Sequence, residues 1–152
     1  MGTFTDLAVN SGNLIATKGK PPVIIVRVLV EEFVEQFLLE ACLVLREIPL
    51  KIVAVDVSAE GVRCRLVKDL VLVDGTALID VLYVNQGGLV VAEAFQRPFS
   101  GVHWTTAARP SMDVCCRAWL SEDHEMKDTC LQVTILVTVS GRITEEVLIL
   151  GS

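Results

Sequence analysis

The residues with the most chemical reach are five cysteines, Cys42, Cys64, Cys115, Cys116 and Cys130, and two histidines, His103 and His124. Thiolates and imidazoles hold zinc, act as nucleophile and base, or form disulfides, so their spacing decides which chemistry is open. Cys115, Cys116, His124 and Cys130 are a permissible zinc set by residue type. They form no CxxC knuckle, and adjacent residues on a strand point to opposite faces, so no metal site is expected. Neither histidine stands in an HExxH or Cys/His protease spacing, and the chain has no GxSxG elbow, phosphate loop or GxGxxG. Gly87-Gly88 reads as a hairpin turn. Glu122, Asp123, Glu125 and Asp128 read as a solvated loop without the pattern of a calcium site. The expectation is a chain with no catalytic residue, no cofactor and no metal, and not an enzyme.

Disulfide chemistry remains. A hairpin centred near Asp123 would place Cys116 opposite Cys130, with Cys115 pointing the other way, towards a different layer or subunit. Cys115, Cys116 and Cys130 are therefore the candidate disulfide or inter-subunit cysteines. Cys42 and Cys64 are expected as small buried hydrophobes. An odd count leaves at least one thiol free or bonded to a neighbouring chain. Trp104 and Trp119, with Phe95 and Phe99, are expected to pack in the core or between layers rather than form a carbohydrate platform.

The elements that must position these residues are strands. The chain has 152 residues, enough for one domain with a core that needs no staple. Hydrophobic residues make up 52% and charged residues 21%, but aromatics only 5%, so the excess is aliphatic, as suits a pleated surface. That excess also points to apolar surface covered by other subunits. A net charge of −6 with no basic stripe argues against nucleic acid as a partner. The longest apolar runs are far too short for a spanning helix, so no membrane insertion is expected, and no secretory signal is readable.

Residues 1–22 read as a polar, weakly patterned arm in which Leu7, Val9, Leu14 and Ile15 are suited to a short strand, added to this chain or to a neighbouring subunit. Residues 23–152 read as the β domain. Val23–Val30 is β-branched, whereas residues 31–46 fit either a helical face or strand alternation. Further runs are separated by turn signals at Ser58–Gly61, Asp74-Gly75, Asn85–Gly88, Pro98, Gly101, Ser121–Lys127 and Ser140-Gly141. The pattern predicts eight to ten short strands in an all-β, antiparallel sandwich or barrel-like domain with an extended N-terminal arm.

Four segments carry a resemblance: KDLVLVDGTALIDVLYVNQGG (68–88), EAFQRPFSGVHW (93–104), ARPSMDVCCRAWL (108–120) and CLQVTILVTVSG (130–141). They are similar to the SPOCS domain of sporulation proteins in spore-forming Firmicutes, through Val73, Asp74, Gly75, Tyr83, Pro98, Phe99, Ser100, Pro110 and Met112. The preceding FLLEACLVLREIPLKIVAV (37–55) resembles the lead-in of that family and favours strand for the ambiguous segment. The resemblance spans about two thirds of the chain, with one copy and no peptidoglycan-binding LysM module. It implies a sporulation setting; together with the aliphatic excess, the arm and the odd cysteine count, the expectation is a structural, self-assembling subunit of a spore outer layer, surface fibre or appendage, joined by strand addition and by disulfides. The alternative is a non-catalytic binding module that docks a spore-coat morphogenesis protein. The expected partners are the chain itself and other spore-coat proteins. The expected location is the spore coat, the exosporium or the spore or cell surface, after synthesis in the cytoplasm.

Overall fold

In a computed structural model of the chain, residues 13–15 and 23–150 are described. They form seven antiparallel strands and, among the described residues, no helix. These are β1 (Asn13–Ile15), β2 (Val23–Leu43), β3 (Pro49–Val67), β4 (Leu70–Asn85), β5 (Val90–Trp104), β6 (Asp113–Lys127) and β7 (Cys130–Leu150). One sheet has the order β1-β2-β7-β6 and the other β3-β4-β5. The two pack face to face as an all-β sandwich. Residues 31–43 belong to β2, whose Leu39, Ala41 and Leu43 turn inward while Leu38, Glu40 and Cys42 face out. Strand alternation therefore prevails over the helical pattern in this segment.

The strands are fewer and longer than the turn signals predict, running 15 to 21 residues apart from β1. Asp74-Gly75 lies inside β4, Ser140-Gly141 inside β7, Gly101 inside β5 and Ser121–Lys127 inside β6. The Ser58–Gly61 signal is a register shift between Glu60 and Arg63 on β3, with Gly61 at φ 62°. Pro98 is tolerated because β5 is an edge strand. The tight turns fall instead at Lys68-Asp69 and Asp128-Thr129, between the paired residues Val67 and Leu70 and between Lys127 and Cys130. Asp69 and Asp128 take positive φ there, 68° and 48°, which Asp accepts more readily than most side chains.

Three of the misplaced turn signals are sockets for phenylalanine rings. The ring of Phe99 on β5 covers Gly75 on β4, its register partner; a Cβ at Gly75 would lie 2.6 Å from Phe99 Cζ. Phe33 on β2 covers its own partner Gly141 on β7 in the same way. Phe37 crosses from one sheet to the other and covers Gly101 on β5. In each case the missing side chain is the space the ring occupies, as aromatic cover of a strand glycine requires. Between them, the central strands bury Val71, Val73, Ile79 and Tyr83 of β4 against Leu131, Ile135, Val139 and Ile143 of β7. The crossover at residues 105–112 is held by Asp69, whose N–H donates to Ala108 O at 3.2 Å while its carbonyl accepts from Thr105 N–H at 3.1 Å.

Gly141→Ala should destabilise the fold by about 1–3 kcal/mol, the usual cost of forcing extra volume into a packed core. Adding Phe33→Leu should recover part of the loss in urea titration. Equal midpoints for Gly141→Ala and wild type would show that the ring does not need the socket.

Candidate functional site

The five cysteines do not gather. Cys64 on β3 bonds to Cys116 on β6, with Cα atoms 6.5 Å apart, and so ties the edge strand of one sheet to that of the other. Cys42 bonds to Cys130 across β2 and β7, with Cα atoms 5.8 Å apart. Both lie on the outward phase of their strands, next to the buried Ala41 and Leu43 and the buried Leu131. Cys115 is free and exposed. The expected facing of Cys116 and Cys130 is therefore corrected. With the turn at Asp128-Thr129, Cys116 faces Gly141 and Cys130 faces Lys127. Cys42 and Cys64 are corrected too, since both are bridged and neither is a fully buried hydrophobe. Their partners lie 88 and 52 residues away, a distance no local spacing rule reaches.

The opposite edge of the sandwich, between β2 and β5, is closed by polar contacts. His103 Nδ1 lies 2.6 Å from Glu35 Oε1 and Nε2 lies 3.0 Å from Glu31 Oε2. Its ring stacks on Phe33 at a centroid distance of 4.3 Å, while Thr105 Oγ1 donates to Glu31 Oε1 at 2.9 Å. Burial is the largest influence on the imidazole and opposes its charge. The hydrogen bonds to Glu35 and Glu31, together with the negative charge of both, outweigh that burial and raise the pKa above its ordinary value. When protonated, both ring N–H groups donate to carboxylates.

A second network pins the β2–β3 connection. Glu93, with a side chain only 7% exposed, accepts hydrogen bonds from Tyr83 Oη–H and from Arg46 N–H at 3.0 Å, and pairs with Arg46 Nε at 3.3 Å. Glu47 N–H donates to Tyr83 Oη at 3.3 Å, and Asn85 Nδ2 donates to Glu47 Oε1 at 3.1 Å. Burial, then the hydrogen bond to Glu93, raises the Tyr83 pKa. These contacts satisfy buried polar groups; among the described residues no buried side-chain N or O lacks a partner.

Neither tryptophan packs as expected. Trp104 is 70% exposed on β5 and Trp119 43% exposed on β6, whereas Phe99 is buried and Phe95 partly so. The tryptophans stand on different sheets and so do not form one aromatic platform. His124 contacts only Glu122 among its ring partners, Nδ1 to Oε2 at 2.9 Å.

The arm residues Leu14 and Ile15 pair with Ile24 and Val23 of the same chain, whereas Leu7 and Val9 lie outside the described residues. Beyond the row formed by Leu29, Thr144 and Asp113, only β2 and β7 continue. They extend as a two-stranded ribbon of Val23–Val28 paired with Glu145–Leu150, flanked by β1 on the β2 side. On the other side of β7, no described residue pairs with residues 145–150. Val147, Leu148, Ile149 and Leu150 are all exposed, Leu148 at 67% and Leu150 at 71%. Arg27 braces the base of the ribbon, with Nη1 2.9 Å from Asp113 and Nη2 3.1 Å from Glu146. A continuous aliphatic run suits a strand covered on both faces, and here it is bare. No family model, curated protein or solved structure matches the chain.

Removing the Cys64–Cys116 bridge by a double Ser substitution should cost about 2–4 kcal/mol of stability, read by denaturant titration; an unchanged midpoint would argue that the sheets are not tied there. The His103 clamp makes a signed prediction. Because the folded-state pKa is raised, its contribution is fully present below the free-imidazole value of about 6.5 and is lost as pH rises through the folded value. The midpoint of wild type relative to His103→Gln should accordingly fall across that rise. A difference that stays flat with pH would remove the clamp from the account.

Proposed function

We propose that this chain is a non-catalytic structural subunit that associates with copies of itself, in the setting the SPOCS resemblance implies: a spore outer layer, surface fibre or appendage. The observation that carries the reading is the exposed aliphatic ribbon at Val147–Leu150, where no described residue pairs with the outer edge of β7 and apolar side chains flank its backbone. Such an edge is a template for strand addition. Joining copies head to tail through it, rather than about a two-fold axis, builds fibres or lattices. Exposed Cys115 offers a thiol for a covalent link between copies. The polar clusters support this reading as well, because His103, Glu93 and Tyr83 are engaged in holding edges and connections together.

Light scattering and negative-stain imaging of the purified full chain, with and without reductant, test the proposal. Particles much larger than one chain are expected, and those that persist in reductant would be joined by non-covalent contacts. A strictly monomeric chain at high concentration would overturn self-association. Capture of a coat-morphogenesis protein by that monomer would replace it with the docking role.

A further inference from the structure

The long edges of the sandwich each carry something that discourages pairing. β2 has a register shift between Leu29 and Glu31 and turns Glu31 and Glu35 inward onto His103. β3 has three register shifts, and β5 carries Pro98. β6 lies beside β3, to which Cys116 binds it. Shifts, inward charges and edge prolines are the usual means of blunting an edge. The free side of β7 at Glu145–Leu150 has no shift in its pairing with β2, no proline and no lysine; its two charges, Glu145 and Glu146, stand at the base, Glu146 paired with Arg27, and leave Val147–Leu150 uncharged.

We infer that this β7 edge takes the N-terminal segment Thr3–Val9 of a second copy as an added strand. The inference rests on the self-association proposed above and names its two halves. No described residue pairs with the six residues Glu145–Leu150 on this side, a length of about 20 Å at the usual rise per strand residue. Twelve residues precede β1, enough to span about 40 Å when extended. Within them, Thr3-Phe4-Thr5-Asp6-Leu7-Ala8-Val9 has strand-forming residues, a single charge, and Thr5, Leu7 and Val9 in one phase. That phase suits the exposed Leu148 and Leu150, and main-chain hydrogen bonds would complete the ladder.

The direction of β1 argues for a second copy over the chain's own arm. Asn13 faces Ile25 and Ile15 faces Val23, so the chain enters β1 from the sandwich body and runs towards the ribbon tip. It does so on the β2 flank, with β2 and β7 between it and the free edge. Donation between copies leaves each subunit with one arm to give and one edge to fill, the arrangement that propagates.

Two full-chain variants test this. Leu7→Lys with Val9→Lys should abolish the large particles expected of wild type in light scattering and leave the thermal midpoint unchanged. A fluorescent peptide of residues 1–12 should then bind that variant saturably, since its own arm no longer competes. Adding Leu148→Lys and Leu150→Lys to the same chain should weaken peptide binding by about tenfold or more. Particles that survive the arm substitutions would overturn the inference while leaving self-association standing. Peptide binding that ignores the β7 substitutions would also overturn it. A wild-type chain that is monomeric from the start would fail both this inference and the reading beneath it.

Discussion

The fold depends on how closely two aliphatic sheets approach where phenylalanine rings fill the places of absent side chains. Gly75, Gly101 and Gly141 each lie under a ring, and a Cβ at any of them would occupy the ring's own space. Phe33 and Phe99 spread within their sheets, and Phe37 reaches across to the other. With only five phenylalanines and two tryptophans in the chain, large side chains are scarce, and three of them are spent on these contacts. The rest of the interior is filled by Val, Ile and Leu on the inward phase of β4 and β7. Close-packed interiors transmit such local demands, so the sockets also fix where the strands must lie.

Two of the sockets share a layer with the devices that close the sandwich. Cys116, Gly141 and Phe33 form one row across β6, β7 and β2, and Cys64, Val73 and Gly101 form one across β3, β4 and β5. One end of this double row is bonded through Cys64 and Cys116. At the other, Phe33 stacks on His103, which bridges to Glu31 and Glu35. A covalent tie at one edge and a charged clamp at the other hold the sheets in register. They also leave His103 and both carboxylates occupied with one another. The ribbon at residues 145–150 projects beyond this braced layer, past the last residue of β6 that pairs with β7.

Much of the architecture was legible in the sequence. The aliphatic excess announces an all-β chain, and Asn85–Gly88 marks a real break. Strand length was not legible, because Gly75, Gly101 and Gly141 give the signal of a turn whether they bend the chain or receive a ring. A polar run from Ser121 to Asp128 hides where the reversal falls, and a turn centred near Asp123 instead of Asp128-Thr129 misplaces Cys116 and Cys130. The disulfides and the His103 clamp join residues 52 to 88 apart, and long-range pairing of that kind follows only once the strand order is known. Glu93 had no signal at all, since its burial depends on the loop that carries Arg46.

Self-association by strand addition depends on the β7 edge at Glu145–Leu150, where no described residue pairs. Amide hydrogen exchange resolved by residue, followed from dilute to concentrated solution, reads it directly, since a newly paired strand protects its amides. Protection that rises with concentration at the alternate amides of Glu145–Leu150 that point away from β2, while the β4 and β7 core amides stay unchanged, is the predicted result. Exchange of those outward amides at one rate across all concentrations, in a sample that nonetheless forms large particles, would contradict it and place the contact elsewhere on the molecule.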